Sequence, residues 1–399
     1  MAMKALSKAT IYQVAQLAGV SIATVSRALR ESDLVTPQTR ERVRAAAREL
    51  HFTPSRLGRS LAEGRHAANG IVFPELVGPY YAEVVLGYET AAAGFGSSVL
   101  ILATRGRADT DAAVRDLAAR VDGLAVLGQT VDDDVLAGIA ATGLPLVLLA
   151  RDPVDGVDTI RARNDRTARD LAAHLIAHGH RRFTFLGDPL GAPDVAGRYA
   201  GVRTELSRAG LDVPVPVPLT GFDLDGGQAA ARELFRAGPP PDAVICANDE
   251  VALGVLLAAE AAGLSVPGDL AVTGWDDLLA ARFAGLTTVR QPMRELGETA
   301  ARWLDQRINE SHKRPISESH NPRITDGHDQ PLTENHNPRI TDSEDLPVAE
   351  SRDRRITGSR DRRGAATTSP PAAARRRILP TQLDVRRSCG FHPPEVHPT

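Results

Sequence analysis

The sequence predicts a small all-α head followed by a two-lobed α/β domain with parallel sheets, and three observations carry that prediction. Residues 10 to 54 hold three short apolar patterns at helical spacing, punctuated by Gly19 and by Thr36-Pro37. From Asn69 to about Gln291, continuous apolar runs alternate with Ala-rich helical stretches. Residues 310 to 365 then break the pattern with seven eight-residue blocks beginning ESHKRPIS, ESHNPRIT, DGHDQPLT and ENHNPRIT. The 399 residues are enough for two or three domains with cores of their own.

In the head, Thr10 and Gln13 have the spacing of a capping box, because the Thr oxygen can accept the third helical N–H while Gln reaches back. A helix then runs through Val14, Ala15 and Leu17 to Ala18. Gly19 supplies the left-handed turn, and Ser21 caps a second helix from Ile22 to Leu29, with Val25, Ala28 and Leu29 facing inward. Thr36-Pro37 starts a third helix carrying Val43, Ala46, Ala47 and Leu50, and Pro54 closes it. Two short helices joined by a glycine turn make a helix-turn-helix.

The expected strands are Gly70–Phe73, Ser98–Ala103, Gly123–Leu127, Leu146–Leu149, Phe183–Leu186, Ala243–Cys246, Leu270–Thr273 and Thr287–Val289. Their apolarity is continuous rather than alternating, which implies strands covered on both faces and therefore parallel sheets. More than 200 residues of this pattern make two lobes. The repeat blocks contain no aromatic residue and one modest apolar position each, too little burial to offset ordering entropy, so this stretch reads as a disordered insertion. His312, His320, His328 and His336 recur every eight residues, but no two share a helical turn and later blocks replace them, so no metal site is read there. Beyond a Pro/Ala linker, Arg377 to Val385 again reads as strand, so the insertion interrupts a domain.

Charge and cysteine usage narrow the function. Residues 1 to 65 carry eleven basic side chains against five acidic ones, although the whole chain has a net charge of −3. That head suits a polyanion. Cys246 and Cys389 are the only cysteines, without disulfide-framework or metal spacing, and no signal peptide or membrane span is read. A cytoplasmic protein without membrane attachment is expected. Phe73-Pro74-Glu75-Leu76-Val77-Gly78 follows the first strand where a dinucleotide-binding enzyme would need its glycine fingerprint, and no catalytic or metal-spaced constellation stands out, so no enzyme and no cofactor are expected.

The segment from Thr10 through Val14-Ala15, Val25-Ser26-Arg27 and Leu29, with Thr36-Pro-x-Thr-Arg40 and Leu50-x-Phe-x-Pro54, resembles the DNA-reading head of the lactose-repressor (LacI/GalR) family. The resemblance implies a sequence-specific repressor of carbohydrate-uptake or catabolic genes, a homodimer on double-stranded operator DNA that a small-molecule effector releases, with a corepressor acting in the opposite sense as the alternative. It places Ile22, Ala23 and Arg27 on base edges, with Arg27 toward guanine, and Ser21, Thr24 and Ser26 on phosphates. A phosphate-clamping Arg27 on an otherwise plain surface is the competing reading. Ser55 to Glu63 matches the family's hinge helix, and Leu61 matches its minor-groove leucine. Gly58 makes this hinge reluctant to fold alone, since glycine costs about 1 kcal/mol inside a helix.

The remainder resembles the family's effector domain, like that of periplasmic sugar-binding proteins, on Pro79-Tyr80-Tyr81, His178-Gly179-His180, Pro241-Asp242, Asn248-Asp249 and Gly274-Trp275-Asp276-Asp277. By position, Tyr80, Tyr81, Arg198, Phe222, Asn248, Asp276 and Gln291 are the effector-binding residues, suited to a sugar or nucleoside. Against this stand a helix-capping Arg198, an N-cap Asp276 and a core Tyr80-Tyr81. Ala150 stands where the family commonly has aspartate, which leaves two alternatives: a sugar-hydroxyl acceptor is missing there, or the adjacent Arg151 favours an anionic effector. The resulting organisation is 1–54 head, 55–65 hinge, 66–309 effector domain, 310–374 insertion and linker, and 375–399 terminal strand and tail. A solute-binding protein of the same two-lobed fold is the alternative.

Overall fold

The computed structural model describes residues 9–29, 33–52, 65–313 and 373–390. The hinge reading at 55–64, Leu61 and Gly58 included, and the reading of 314–372 as disordered fall outside these residues. The head contains α1 (Ile11–Ala18), α2 (Ile22–Leu29) and α3 (Pro37–Glu49). Thr10 Oγ1 accepts the Gln13 N–H and Gln13 Oε1 accepts the Thr10 N–H, closing the capping box. Gly19 ends α1 at φ 62°, a backbone that glycine adopts without Cβ strain. Val14, Ala15, Val25, Ala28, Val43, Ala46 and Ala47 form the core on which the three helices meet.

The first lobe is a six-stranded parallel sheet in the order β10-β5-β4-β3-β1-β2. Its strands are β1 (Ala68–Phe73), β2 (Ser98–Ala103), β3 (Gly123–Leu127), β4 (Leu146–Leu149), β5 (Asp158–Ala162) and β10 (Arg376–Leu379). The helices α4 (Pro79–Gly94) and α12 (Met293–Lys313) cover one face, and α5 (Thr110–Ala118) and α6 (Asp133–Ala141) cover the other. This two-sided burial explains why β1, β3 and β4 read as unbroken apolar runs.

The second lobe has the parallel strands β6 (Phe183–Leu186), β7 (Ala243–Cys246) and β8 (Ala271–Thr273), with β9 (Thr288–Arg290) paired antiparallel to β11 (Gln382–Asp384). Around them pack α7 (Asp165–Ala177), α8 (Pro193–Arg208), α9 (Leu224–Ala237), α10 (Asp249–Ala261) and α11 (Leu279–Ala284). The chain passes between the lobes after β5, after β9 and between β10 and β11.

Two features differ from the sequence reading. Strand β5, DTIRA, offers only Ile160 and Ala162 to an apolar pattern; it forms because buried Asp158 accepts hydrogen bonds from Arg307 and Arg375, which lock α12 and the terminal segment onto it. Helix α12 continues through Glu310–Lys313, so the first residues assigned to the insertion are helical. The terminal segment supplies two strands, one to each lobe.

Candidate functional site

On α2 the side chains divide cleanly. Val25 and Ala28 enter the head core, Leu29 is half-buried against it, and Ser21, Ile22, Ala23 and Arg27 are exposed, with Thr24 and Ser26 half-buried. Ser21 Oγ accepts the Thr24 N–H at 3.1 Å and shares a 2.9 Å bond with Thr24 Oγ1. Ile22 and Ser26, and Ala23 and Arg27, are one helical turn apart, so these residues share one solvent-facing surface, a surface of the size that enters a major groove.

Between the lobes lies a cavity of about 240 Å³ lined by all seven expected residues: Tyr80, Tyr81, Arg198, Phe222, Asn248, Asp276 and Gln291. Its floor is a polar network. Arg198 on α8 donates from Nε to Asn164 Oδ1 at 3.0 Å and from Nη1 to the Ala247 carbonyl at 2.5 Å, and its guanidinium lies 4.7 Å over the Trp275 ring. Asp194, one turn earlier on α8, accepts from Asn164 Nδ2 at 2.8 Å. Arg198 therefore ties the crossing after β5 to the end of β7, and caps no helix.

Asp276 is buried, in left-handed backbone at φ 119°, and its Oδ1 accepts from Gln291 Nε2 at 2.5 Å. A non-glycine residue held there is strained, which is typical of functional positions. Burial pushes its carboxyl up to about 8, against the pull of Arg198. Burial likewise raises Asp194, again opposed by Arg198. Asp276 caps no helix, since Leu278 occupies the N-cap of α11.

Tyr80 and Tyr81 meet edge to face at 5.3 Å, half-buried against the first lobe's core while lining the cavity, so packing and cavity roles coincide. Burial raises both phenols, Tyr81 to about 12, and leaves them neutral donors. Phe222 is half-buried on the second lobe's core. Asn248 is the N-cap of α10: its Oδ1 accepts the Val251 N–H at 2.9 Å and its Nδ2 donates to the Phe222 carbonyl at 2.8 Å. One N–H and one lone pair of this amide remain.

The expectation built on Arg151 is corrected. Ala150 lines the cavity, but Arg151 is buried and turned away, donating to the Gly128 and Val131 carbonyls and to Asp133. The backbone reverses at Ala150, φ 51°, and the side chains diverge. Sequence reasoning also missed Asn164, and the lining residues Glu75, Arg105, Asp194 and Glu250. Asp194 was findable as the acid four residues before Arg198 on one helix. The Glu75–Arg105 pair, 2.7 Å, joins the ends of two neighbouring strands and has no signal along the chain.

Residues 10–55 match the model of bacterial regulatory proteins of the lacI family, and residues 172–328 that of a periplasmic binding protein-like domain. The ribose operon repressor of Escherichia coli is 36% identical over 311 residues, covering 76% of this chain and 94% of the relative. The CytR repressor of the same organism is 33% identical over 319 residues, covering 78% and 93%. The chain belongs to the LacI family. Among solved structures, the lac repressor dimer bound to operator and the anti-inducer ONPF superposes with a TM-score of 0.73 at 25% identity, covering 96% of this chain and all of that one. A CelR–cellobiose complex matches with a TM-score of 0.61 at 28% identity, again over 96% of this chain and all of the other. The protein is thus a LacI-type DNA-binding repressor controlled by a small-molecule effector, and its relatives are repressors rather than enzymes. Among the described residues, no helix is long and apolar enough to cross a membrane.

Proposed function

We propose that this LacI-family repressor acts in the cytoplasm as a homodimer, reads a near-palindromic operator through α2, and releases it when a neutral sugar or nucleoside binds between the lobes. The observation that carries the effector half is the floor of the cavity, where Arg198, Asp194, Asp276 and Gln291 converge beside Tyr80, Tyr81 and Phe222. Fixed donors and acceptors below and aromatic faces around suit a polyhydroxylated ring. The name of the ribose operon repressor points the same way.

On DNA, Ile22, Ala23 and Arg27 would read base edges, and Ser21, Thr24 and Ser26 phosphates. Leu61, in the hinge of residues 55–65, would wedge the minor groove, by resemblance to the family. Exposed Leu86, Phe95, Leu100 and Ile101 on the first lobe, and Leu257, Leu279 and Phe283 on the second, support pairing of two chains. The domain boundaries follow the sequence reading, with the effector domain extended to Lys313.

The test is a thermal-shift screen of neutral sugars and nucleosides, followed by titration of any hit against the palindromic site nearest the protein's own gene. A hit that stabilises the protein should weaken operator binding. If every stabilising ligand left operator affinity unchanged, the regulatory role of the cavity would be refuted.

A further inference from the structure

Five carboxyl groups line the cavity, those of Glu75, Asp194, Asp223, Glu250 and Asp276, the last held protonated by its burial, against two guanidiniums, Arg105 and Arg198. Most of these charges are engaged. Arg105 pairs with Glu75 at 2.7 Å, and Arg198 is held among Asn164, the Ala247 carbonyl and the neighbouring carboxyls of Asp194 and Asp276. Asp223 caps α9, its Oδ1 accepting the Gly226 N–H at 2.8 Å. Glu250 differs, because its carboxylate has no ion pair or hydrogen bond among the described residues.

Glu250 stands in the first turn of α10 on the second lobe, yet it faces the first. A methyl group on Gly78 would come within 2.5 Å of its Oε2, so the carboxylate reaches the loop joining β1 to α4. That same loop carries Glu75. Burial, then the charges of Asp223 and Glu75, hold the Glu250 carboxyl above its ordinary range, as expected of an acceptor crowded by other acceptors.

We infer that Glu250 is a specificity-determining residue of the effector site, accepting hydrogen bonds from a donor-rich part of the effector where the lobes meet and excluding phosphate or carboxylate groups there. The inference rests on the reading of the cavity as the effector site and narrows it to uncharged, donor-bearing ligands. A hydroxyl or amino group between Glu250 and the Glu75 loop satisfies a carboxylate that otherwise faces like charge. An anionic group adds a further negative charge beside Glu250 and Glu75, where the two lining guanidiniums among the described residues already have partners, Arg105 in Glu75 and Arg198 in Asn164 and the Ala247 carbonyl, and such repulsion is an effective means of discrimination.

The experiment uses the full chain and two matched pairs of probes, D-ribose with D-ribose 5-phosphate and adenosine with adenosine 5′-monophosphate, in calorimetric titrations at pH 7. In the native chain at least one neutral member should bind, with its phosphate weaker by about tenfold or more. Glu250→Gln should shrink that gap to about threefold or less, while Glu250→Asp, which keeps the charge, should preserve most of it. A phosphate that binds the native chain as tightly as its neutral partner overturns the inference. So does a gap left unchanged in a Glu250→Gln protein whose melting temperature matches the native one. If neither neutral probe binds, the effector-site reading falls and takes this inference with it, an outcome distinct from bound ligands without discrimination.

Discussion

Replacing Asp276 by Asn should stabilise the protein without effector and weaken its hold on the effector. The side chains are isosteric, and the Asn Oδ1 can keep the bond from Gln291 Nε2 that Asp276 accepts at 2.5 Å. What changes is the titration. Burial lifts the native carboxyl to about 8 from an ordinary 3.8. Between those values the folded chain retains a proton that the unfolded chain has released. Stability is then fully present below the lower value and is lost as pH rises toward the upper one, by about 1.4 kcal/mol per pH unit. By pH 7 the cost is about 4 kcal/mol, an upper bound because the denatured chain and local relaxation share it. For an α/β domain of this size, each kcal/mol moves the melting temperature by about 2 to 4 °C. Calorimetric melting of native and Asp276→Asn proteins from pH 4 to 8 should show equal stability at the acid end and a variant advantage that widens with pH. An advantage constant across that range, or a variant less stable at pH 7, would refute the protonated, buried Asp276.

Arg198→Met should cost about 3 to 5 kcal/mol and abolish effector binding, because Asn164 Oδ1 and the Ala247 carbonyl lose their donor and two carboxyls lose their cation; calorimetry and ligand titration check both, and an unchanged melting temperature contradicts the network. Asp158→Asn should cost about 2 to 4 kcal/mol by weakening the bonds from Arg307 and Arg375, read as a lower urea midpoint at pH 7. Although burial opposes it, those arginines hold the native Asp158 carboxyl below its ordinary range, so its stabilisation is present above that range and lost as pH falls; the difference between the two proteins should therefore narrow toward pH 2. Asn248→Ala should cost about 1 kcal/mol as a lost helix cap, with a smaller effect on effector affinity than Asp276→Asn, since its amide is already bonded to the Val251 N–H of α10 and to the Phe222 carbonyl.

Much of this architecture was legible along the chain because burial on both sheet faces leaves an apolar run, and β3, β4, β6 and β7 begin and end where those runs do; β2 is as apolar and has the expected bounds, yet its Leu100 and Ile101 are exposed, so two-sided burial within the chain does not account for it. Strand β5 was not legible, since its polar residues are held by Arg307 and by Arg375, which lies beyond the insertion. The seven cavity residues read by position do line one cavity, but their bonding was hidden. Whether Asn248 turns its amide to a helix or to a ligand, and whether Arg151 faces the cleft or the β3–α6 loop, depends on backbone angles at single residues that no pattern along the chain records.

Whether α2 reads sequence is decided by Arg27→Ala. Affinities of native and variant proteins for the operator and for random duplex of equal length should be compared across a salt series. If Arg27 pairs with a base, the variant loses about 1 to 3 kcal/mol on operator while binding to random duplex and its salt slope change little. Equal losses on both duplexes, with a salt slope shallower by about one, would return Arg27 to a phosphate clamp and contradict the assignment of sequence reading to this residue.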